Sequence, residues 1–85
     1  MIIKTLKVHL VDGLHARPAA EFVRIASKFK SSIIVEHEGM SVNGKSIMGL
    51  LMLGLYPGSE VKIIVSGEDE EEAFKSLVKL LEKNN

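Results

Sequence analysis

His15 stands in a segment that carries the residue types needed for phosphoryl chemistry, Asp12-Gly13-Leu14-His15-Ala16-Arg17-Pro18-Ala19-Ala20. A strand-like stretch ends there, a glycine turns the chain, and a helix begins. We expect His15 at or beside the helix N-terminus, where free backbone N–H groups attract anions. The same position disfavours protonation of the imidazole, which leaves a lone pair free at neutral pH, so that the ring itself can act as a nucleophile. The segment is typical of a site that accepts and holds a phosphoryl group.

Two neighbours of His15 have predicted roles in that chemistry, and a third suits the start of the helix. A phosphate on the imidazole would face the backbone N–H groups of Ala16 and Arg17, and the Arg17 side chain would be its charged partner. Pro18 costs little in the first helical turn, where its missing N–H has no intrahelical role. The alternative is a histidine that merely caps the helix or lies on the surface by chance, and local context leaves both interpretations open.

Ser46 is a second candidate for modification. It precedes a predicted short helix from Ile47 to about Leu53, so its hydroxyl can accept a hydrogen bond from a backbone N–H of the first turn. A phosphate at this position would meet free N–H groups and a favourable helix dipole. The alternative is an N-cap serine with no further function.

The same helix contains more apolar residues than one buried stripe can use. We expect some of Ile47, Met48, Leu51 and Met52 to remain exposed and to form a docking patch, because exposed apolar surface marks interaction sites and methionine adapts to several partners. A helix buried in the core is the competing interpretation.

The pattern of apolar residues predicts the element order β-α-β-β-α-β-α. Alternation and β-branched residues mark the strands, helical spacing marks the helices, and Glu38-Gly39 and Asn43-Gly44 mark turns. We expect an α+β fold with a mostly antiparallel sheet and all helices on one face. The predicted strands cover 2–10, 32–38, 40–42 and 60–66, and the first helix covers 16–29. Asp69 and Glu72 fit an acidic capping box that starts the last helix, with its acid-rich first turn exposed to solvent.

Composition excludes several classes of protein. Eighty-five residues form one domain, here 1–85, and the absence of cysteine excludes disulfides and thiolate metal sites. Eleven basic residues balance eleven acidic ones, which argues against a direct nucleic-acid binder. No apolar run is long enough to span a bilayer, so we expect a cytoplasmic protein. His9 and His37 are predicted at exposed strand positions, and no histidine has metal-ligand spacing.

Several motifs make the chain similar to HPr, the histidine-containing phosphocarrier family of the bacterial phosphoenolpyruvate-dependent sugar phosphotransferase system. The matching stretches are 13–19, 26–29, 41–43 together with 45–49, 53–54 and 58–59. The resemblance covers essentially the whole chain, and a histidine motif and a serine motif at this spacing are together highly specific. Departures from the family pattern occur at Glu21, Met40 and Gly44.

The resemblance implies an open-faced β-sandwich, with a four-stranded antiparallel sheet covered on one face by three helices. It implies that His15 accepts phosphate on Nδ1 from phosphorylated enzyme I and passes it to sugar-specific enzyme IIA proteins. A monomeric carrier without a cofactor or metal is expected, rather than an enzyme. The implied partner-binding residues are Pro18, Ala20, Phe22, Ile47, Met48, Leu51 and Met52.

The resemblance also implies regulation, because Ser46 matches the position that an ATP-dependent HPr kinase/phosphorylase modifies in many Gram-positive bacteria. In those organisms the serine-phosphorylated form acts as a corepressor with a catabolite-control transcription factor. A mainly regulatory corepressor is the alternative function, although the paralogue limited to that role lacks the active histidine and this chain has it. A small hydrolase or metabolite-sensing domain would need convergent polar groups. The sequence supplies only Asp12, His15 and Arg17 in one neighbourhood.

Overall fold

The computed structural model describes residues 1–9 and 16–82, and within them the predicted order of elements is confirmed. The bounds are β1 (Ile2–Lys7), α1 (Ala16–Ala26), β2 (Ser32–His37), β3 (Met40–Asn43), α2 (Ile47–Met52), β4 (Glu60–Ser66) and α3 (Glu70–Leu81).

The sheet is antiparallel throughout, in the strand order β1-β4-β2-β3. Successive side chains of β4, one of the two inner strands, point to opposite faces of the sheet. Val61, Ile63 and Val65 are therefore buried, while the intervening side chains lie on the other face. Helices cover the buried face, which gives the expected four-stranded antiparallel open sheet with three helices. The chain therefore builds its core between one sheet face and one helical layer.

Each helix contributes a fully buried large side chain to that core. Phe22 comes from α1, Leu50 from α2 and Leu77 from α3, and all three have 0% exposure. Removing a side chain of this size from water stabilises the fold by about 1.5–3 kcal/mol. The three helices are thus held to the sheet by apolar burial, and their outer faces remain free to carry functional residues.

The hairpin between β2 and β3 is formed by the predicted turn at Glu38 and Gly39. Both residues have positive φ, at 48° and 83°, and they connect the paired residues His37 and Met40. Two consecutive positive φ values match the right-handed twist of a two-residue hairpin. Among the described residues, Glu38 is the only non-glycine residue with positive φ.

Four predicted elements end too late, β1 and α1 by several residues and β2 and α2 by one residue each, while β3 runs one residue further than predicted. Strand β1 ends at Lys7, because Val8 donates to the carbonyl of Ser59 and His9 to that of Leu81, which takes the chain away from the β4 ladder. Helix α1 ends at Ala26 rather than Phe29, because Lys28 and Phe29 donate to the third preceding carbonyl and tighten the last turn.

The predicted capping box of α3 is wrong. Asp69 is the N-cap residue, but its side chain makes no capping hydrogen bond. Its carboxylate instead accepts hydrogen bonds from the backbone N–H groups of Lys30 and Ser31 and from the Ser31 hydroxyl. Nearby, Glu70 accepts from the N–H of Gly67 at 3.0 Å. The tertiary partners are better placed than the local N–H groups, so Asp69 joins α3 to the start of β2.

Candidate functional site

Helix α1 begins at Ala16, as the sequence predicts, so its first turn directly follows His15 in the chain. His15 itself and Asp12 lie outside the described residues. Arg17 is exposed and Pro18 half-buried, both within the first turn, where backbone N–H groups have no intrahelical acceptor. The described part of the site therefore offers a helix N-terminus with one solvent-accessible guanidinium.

Both flanks of the 10–15 segment are fixed to the core. Before it, Val8 is buried and exchanges two backbone hydrogen bonds with the loop at Gly58 and Ser59, each 2.9 Å long. After it, Ala19 is fully buried on the inner face of α1. The positions where the chain enters and leaves the candidate site are thus set by packing, and the first turn of α1 has a defined location.

The predicted partner-binding residues of α1 divide into two groups. Ala20 is exposed and Pro18 is half-buried, so a partner can reach both. The prediction for Phe22 is wrong, because its side chain is entirely buried in the core. Ala19, Phe22 and Ala26 form the inner stripe at helical spacing, and a side chain in that stripe contacts the sheet rather than a partner.

Ser46 is the N-cap of α2, as predicted. Its Oγ accepts a hydrogen bond from the N–H of Gly49 at 3.1 Å, and its carbonyl accepts from the N–H of Leu50. The neighbouring Lys45 is turned elsewhere, since its ammonium donates to the carbonyl of Phe29 at 2.8 Å. The Ser46 hydroxyl is therefore held at a helix start, and no charged partner for it is found among the residues that the structure describes.

Helix α2 leaves most of its apolar side chains in solvent. Met48 is 69% exposed and Met52 66%, and Ile47 and Leu51 are also exposed, so this α2 patch is confirmed as an exposed apolar surface. The core interpretation holds for Leu50 and Leu53, which are buried. One face of the helix thus anchors it, and the other is available for docking.

The two described histidines differ in their surroundings. His9 is exposed, but it lies beyond the end of β1. His37 contradicts the prediction of an exposed position, because only 11% of its side chain is accessible and its Nδ1 lies 2.8 Å from the carbonyl oxygen of Glu60. His37 shares the parity of Ile33 and Val35 on β2, and that alternation was the signal for an inward position.

The Asp69 carboxylate accepts three hydrogen bonds from Lys30 and Ser31. The Ser31 hydroxyl, the N–H of Lys30 and the N–H of Ser31 stabilise its charged form, and they lower the pKa of Asp69 despite an opposing desolvation effect. The partners lie 38 and 39 residues away, so no local sequence pattern identified this contact. Sequence reasoning also missed the bond from Lys45 to Phe29.

In the part of the chain that the structure describes, no group of three or more histidine, aspartate or glutamate side chains is placed so that it could hold a metal ion. A search of the same residues found no helix with the length and apolar character needed to cross a bilayer.

Comparison with known proteins places these features in a family. Residues 2–83 match the family model described as PTS HPr component phosphorylation site. The HPr-like protein Crh of Halalkalibacterium halodurans is 47% identical over 83 residues, which are 98% of this chain and 99% of the relative.

Solved structures of the same family have the same fold as this chain. The crystal structure of a phosphocarrier protein HPr from Bacillus anthracis superposes with a TM-score of 0.91 at 42% identity, covering 94% of this chain and 95% of the other. Crh of Bacillus subtilis, solved as a dimer with a swapped domain, has a TM-score of 0.76 at 46% identity, covering 95% and 93%.

These matches cover nearly the whole chain and agree with its open sheet and three helices. The fold and site therefore define an HPr-type phosphocarrier protein. The chain belongs to the PTS HPr family, whose members similar to it include both HPr and the HPr-like Crh.

Proposed function

We propose that this chain, acting as a single domain over residues 1–85, is a phosphoryl carrier of the bacterial sugar phosphotransferase system. His15 accepts phosphate from phosphorylated enzyme I and passes it to sugar-specific enzyme IIA proteins in the cytoplasm. The observation that carries the proposal is the start of α1 at Ala16, directly after the histidine of an HPr phosphorylation-site family. The chain is then a covalently modified carrier, and its partners supply the catalysis.

The described groups suit both loading and release. An imidazole lone pair forms the N–P bond while the bond from phosphorus to the donor breaks, and the phosphoryl group keeps its negative charge. The N–H groups of the first turn of α1 and the Arg17 guanidinium stabilise that charge. Because Arg17 is exposed to water, its interaction with phosphate is weakened by the solvent. A phosphate bound with this moderate strength can be transferred from His15 to the next protein.

The α2 patch provides the docking surface in this proposal, with Ala20 and Pro18 as the accessible residues of α1. Helices α1 and α2 pack against each other, so the patch belongs to the same helical layer as the start of α1. Apolar, methionine-rich surface accommodates different partners, which a carrier between two proteins requires. A monomer would present this surface freely, and sedimentation would distinguish it from a swapped dimer like that of Bacillus subtilis Crh.

The relay is tested by incubating the protein with enzyme I and phosphoenolpyruvate, followed by enzyme IIA. We expect an acid-labile phosphoprotein that forms only with enzyme I and is discharged when enzyme IIA is added. The His15→Ala variant should form none, whereas Ser46→Ala should behave like the wild-type chain. Failure of the wild-type chain to accept phosphate would refute the carrier function.

A regulatory function through Ser46 is the second candidate, and the similarity to Crh favours it. Phosphorylation by an ATP-dependent HPr kinase/phosphorylase would place phosphate oxygens where Oγ now accepts from Gly49, at the start of α2. The added charge would lie beside the α2 patch, where a catabolite-control transcription factor could recognise it.

The regulatory function predicts an acid-stable, ATP-dependent phosphoprotein that is lost in Ser46→Ala and kept in His15→Ala. Binding of the transcription factor should require this modification. If the kinase of the host leaves Ser46 unmodified, the regulatory function fails, and the relay through His15 is unaffected.

A further inference from the structure

A pocket of about 460 Å³ opens at the end of the sheet where the β2–β3 hairpin meets the loop before β4. It lies outside α1 and α2, which carry the candidate site. The residues that line it are His37, Glu38, Tyr56, Gly58, Ser59 and Glu60. The lining thus contains two glutamates and an aromatic ring, and among the described residues it includes no lysine or arginine.

The histidine in this pocket is held in one orientation. Its Nδ1 lies 2.8 Å from the carbonyl oxygen of Glu60, and a carbonyl can only accept, so Nδ1 carries the proton. In the neutral ring, Nε2 is then an acceptor. The nearest carboxylate oxygen, Oε1 of Glu38, is a second acceptor at 3.8 Å from Nε2. A ligand group that only donates hydrogen bonds could therefore bind to Nε2 of His37 and Oε1 of Glu38 together.

The lining also includes an exposed aromatic residue, Tyr56, on a fixed loop. The N–H of Tyr56 donates to the Ser59 hydroxyl, and the N–H of Ser59 donates back to the carbonyl of Tyr56. The loop is also bonded to Val8 through Gly58 and Ser59. Because these bonds exist before any ligand binds, little ordering is needed on binding.

We propose that this pocket binds an arginine side chain of a partner protein. A guanidinium has five N–H donors and no acceptor, so it matches Nε2 of His37 and the carboxylate of Glu38, and its flat face can stack on the ring of Tyr56. Glu60 contributes its backbone carbonyl, which fixes the ring of His37.

A protein is favoured over a free cation by the apolar residues beside the pocket. Met40 pairs directly with His37 across the hairpin and is 45% exposed, and Tyr56 is 64% exposed. Tyrosine, methionine and arginine are among the residue types enriched in protein interfaces. The flanks of a partner's arginine would cover these two side chains, which a free guanidinium cannot do.

The test is an NMR titration of the isotope-labelled chain with three probes, namely the capped tripeptide Leu-Arg-Leu, the same peptide with citrulline in place of arginine, and free arginine. We expect saturable shifts at Tyr56, Gly58 and Ser59 with the arginine peptide, at a dissociation constant of about 1 mM. Citrulline has the same shape without the charge and should shift nothing. Free arginine should bind more weakly than the peptide.

Variants separate recognition from net charge. Glu38→Gln should weaken binding of the arginine peptide about threefold, and Tyr56→Leu should weaken it by a similar factor. Glu72→Gln, an exposed residue of α3, removes the same charge elsewhere and should change nothing. Equal shifts with citrulline, equal binding by Glu38→Gln, or the absence of shifts at these residues would overturn the proposal. Tighter binding of free arginine would overturn its assignment to a protein partner.

Discussion

The Oγ of Ser46 and the backbone N–H of Gly49 form a 3.1 Å hydrogen bond that closes the first turn of α2. The residue proposed for regulation is therefore also the residue that starts the helix carrying the docking patch. Phosphorylation of Ser46 would therefore alter both the hydrogen bond that caps α2 and the charge at the start of this helix.

Replacing Ser46 separates these two effects. Ser46→Ala leaves an N–H of the first turn without its side-chain acceptor and should lower the free energy of unfolding by about 1 kcal/mol. Ser46→Asp keeps an acceptor and adds a charge that the helix dipole favours, so its stability should match or exceed that of the wild-type chain. Urea denaturation measures both, with Ser41→Ala on exposed β3 as the control. Wild-type stability in Ser46→Ala would show that the cap contributes nothing.

Stability should fall in acid through Asp69. The Ser31 hydroxyl and two backbone N–H groups lower the pKa of Asp69 in the folded state. Its stabilising contribution is therefore complete above the ordinary aspartate pKa of about 4 and is lost as the pH falls through the lower, folded value. Between those values the unfolded chain binds more protons than the folded one, so acid favours unfolding.

The Asp69→Asn variant checks that assignment through urea midpoints between neutral pH and about pH 3. We expect it to be less stable than the wild-type chain at neutral pH and to lose less stability on acidification. Glu71→Gln removes an exposed charge of the same helix and should keep the wild-type dependence on pH. If Asp69→Asn shows the full wild-type acid slope, other carboxyls are responsible, with Glu70 the first to test because its pKa is also lowered.

These contacts also show which features of the fold can be predicted from sequence. The Ser46 cap is encoded locally, by a serine directly before an apolar run, and so is the turn at Glu38 and Gly39. The capping box predicted for Asp69 is wrong because its actual partners, Lys30 and Ser31, come close to it only in the folded chain. A local capping pattern was present, and a tertiary contact competed with it successfully.

The errors at Phe22 and His37 have a different origin. Phe22 lies on the buried face of α1 with Ala19 and Ala26. His37 lies on the side of β2 that also carries the buried Ile33 and Val35. The periodicity was therefore available in the sequence. The family resemblance implied a partner-facing Phe22, and the polar nature of histidine favoured an exposed His37. Only the packed core shows that position within the element overrides residue type.

Met48 and Leu50 provide a comparison within α2. Met48→Glu places a charge on the exposed patch and should weaken docking to enzyme I while the free energy of unfolding stays within about 0.5 kcal/mol of wild type. Leu50→Ala removes a buried side chain and should cost about 2–5 kcal/mol. Titration calorimetry with enzyme I and urea denaturation measure the two effects. Unchanged affinity in Met48→Glu would mean that the patch does not contact this partner.

Arg17→Ala should slow phosphoryl transfer without unfolding the chain. The side chain is exposed, and its proposed partner is a phosphate that the resting protein does not carry. We expect a decrease of roughly 10- to 100-fold in the rate of transfer from enzyme I, with an unchanged urea midpoint. Arg24→Ala, which breaks the surface ion pair with Glu21, is the matched control and should transfer at the wild-type rate. A wild-type rate in Arg17→Ala would remove Arg17 from the mechanism.

Phosphorus NMR tests the loading of His15 most directly. After treatment with enzyme I and phosphoenolpyruvate, the wild-type chain and Ser46→Ala should each show one phosphohistidine resonance, which disappears in acid, and His15→Ala should show none. A resonance that persists in His15→Ala, or no resonance in the wild-type chain, would contradict the carrier function proposed for this histidine.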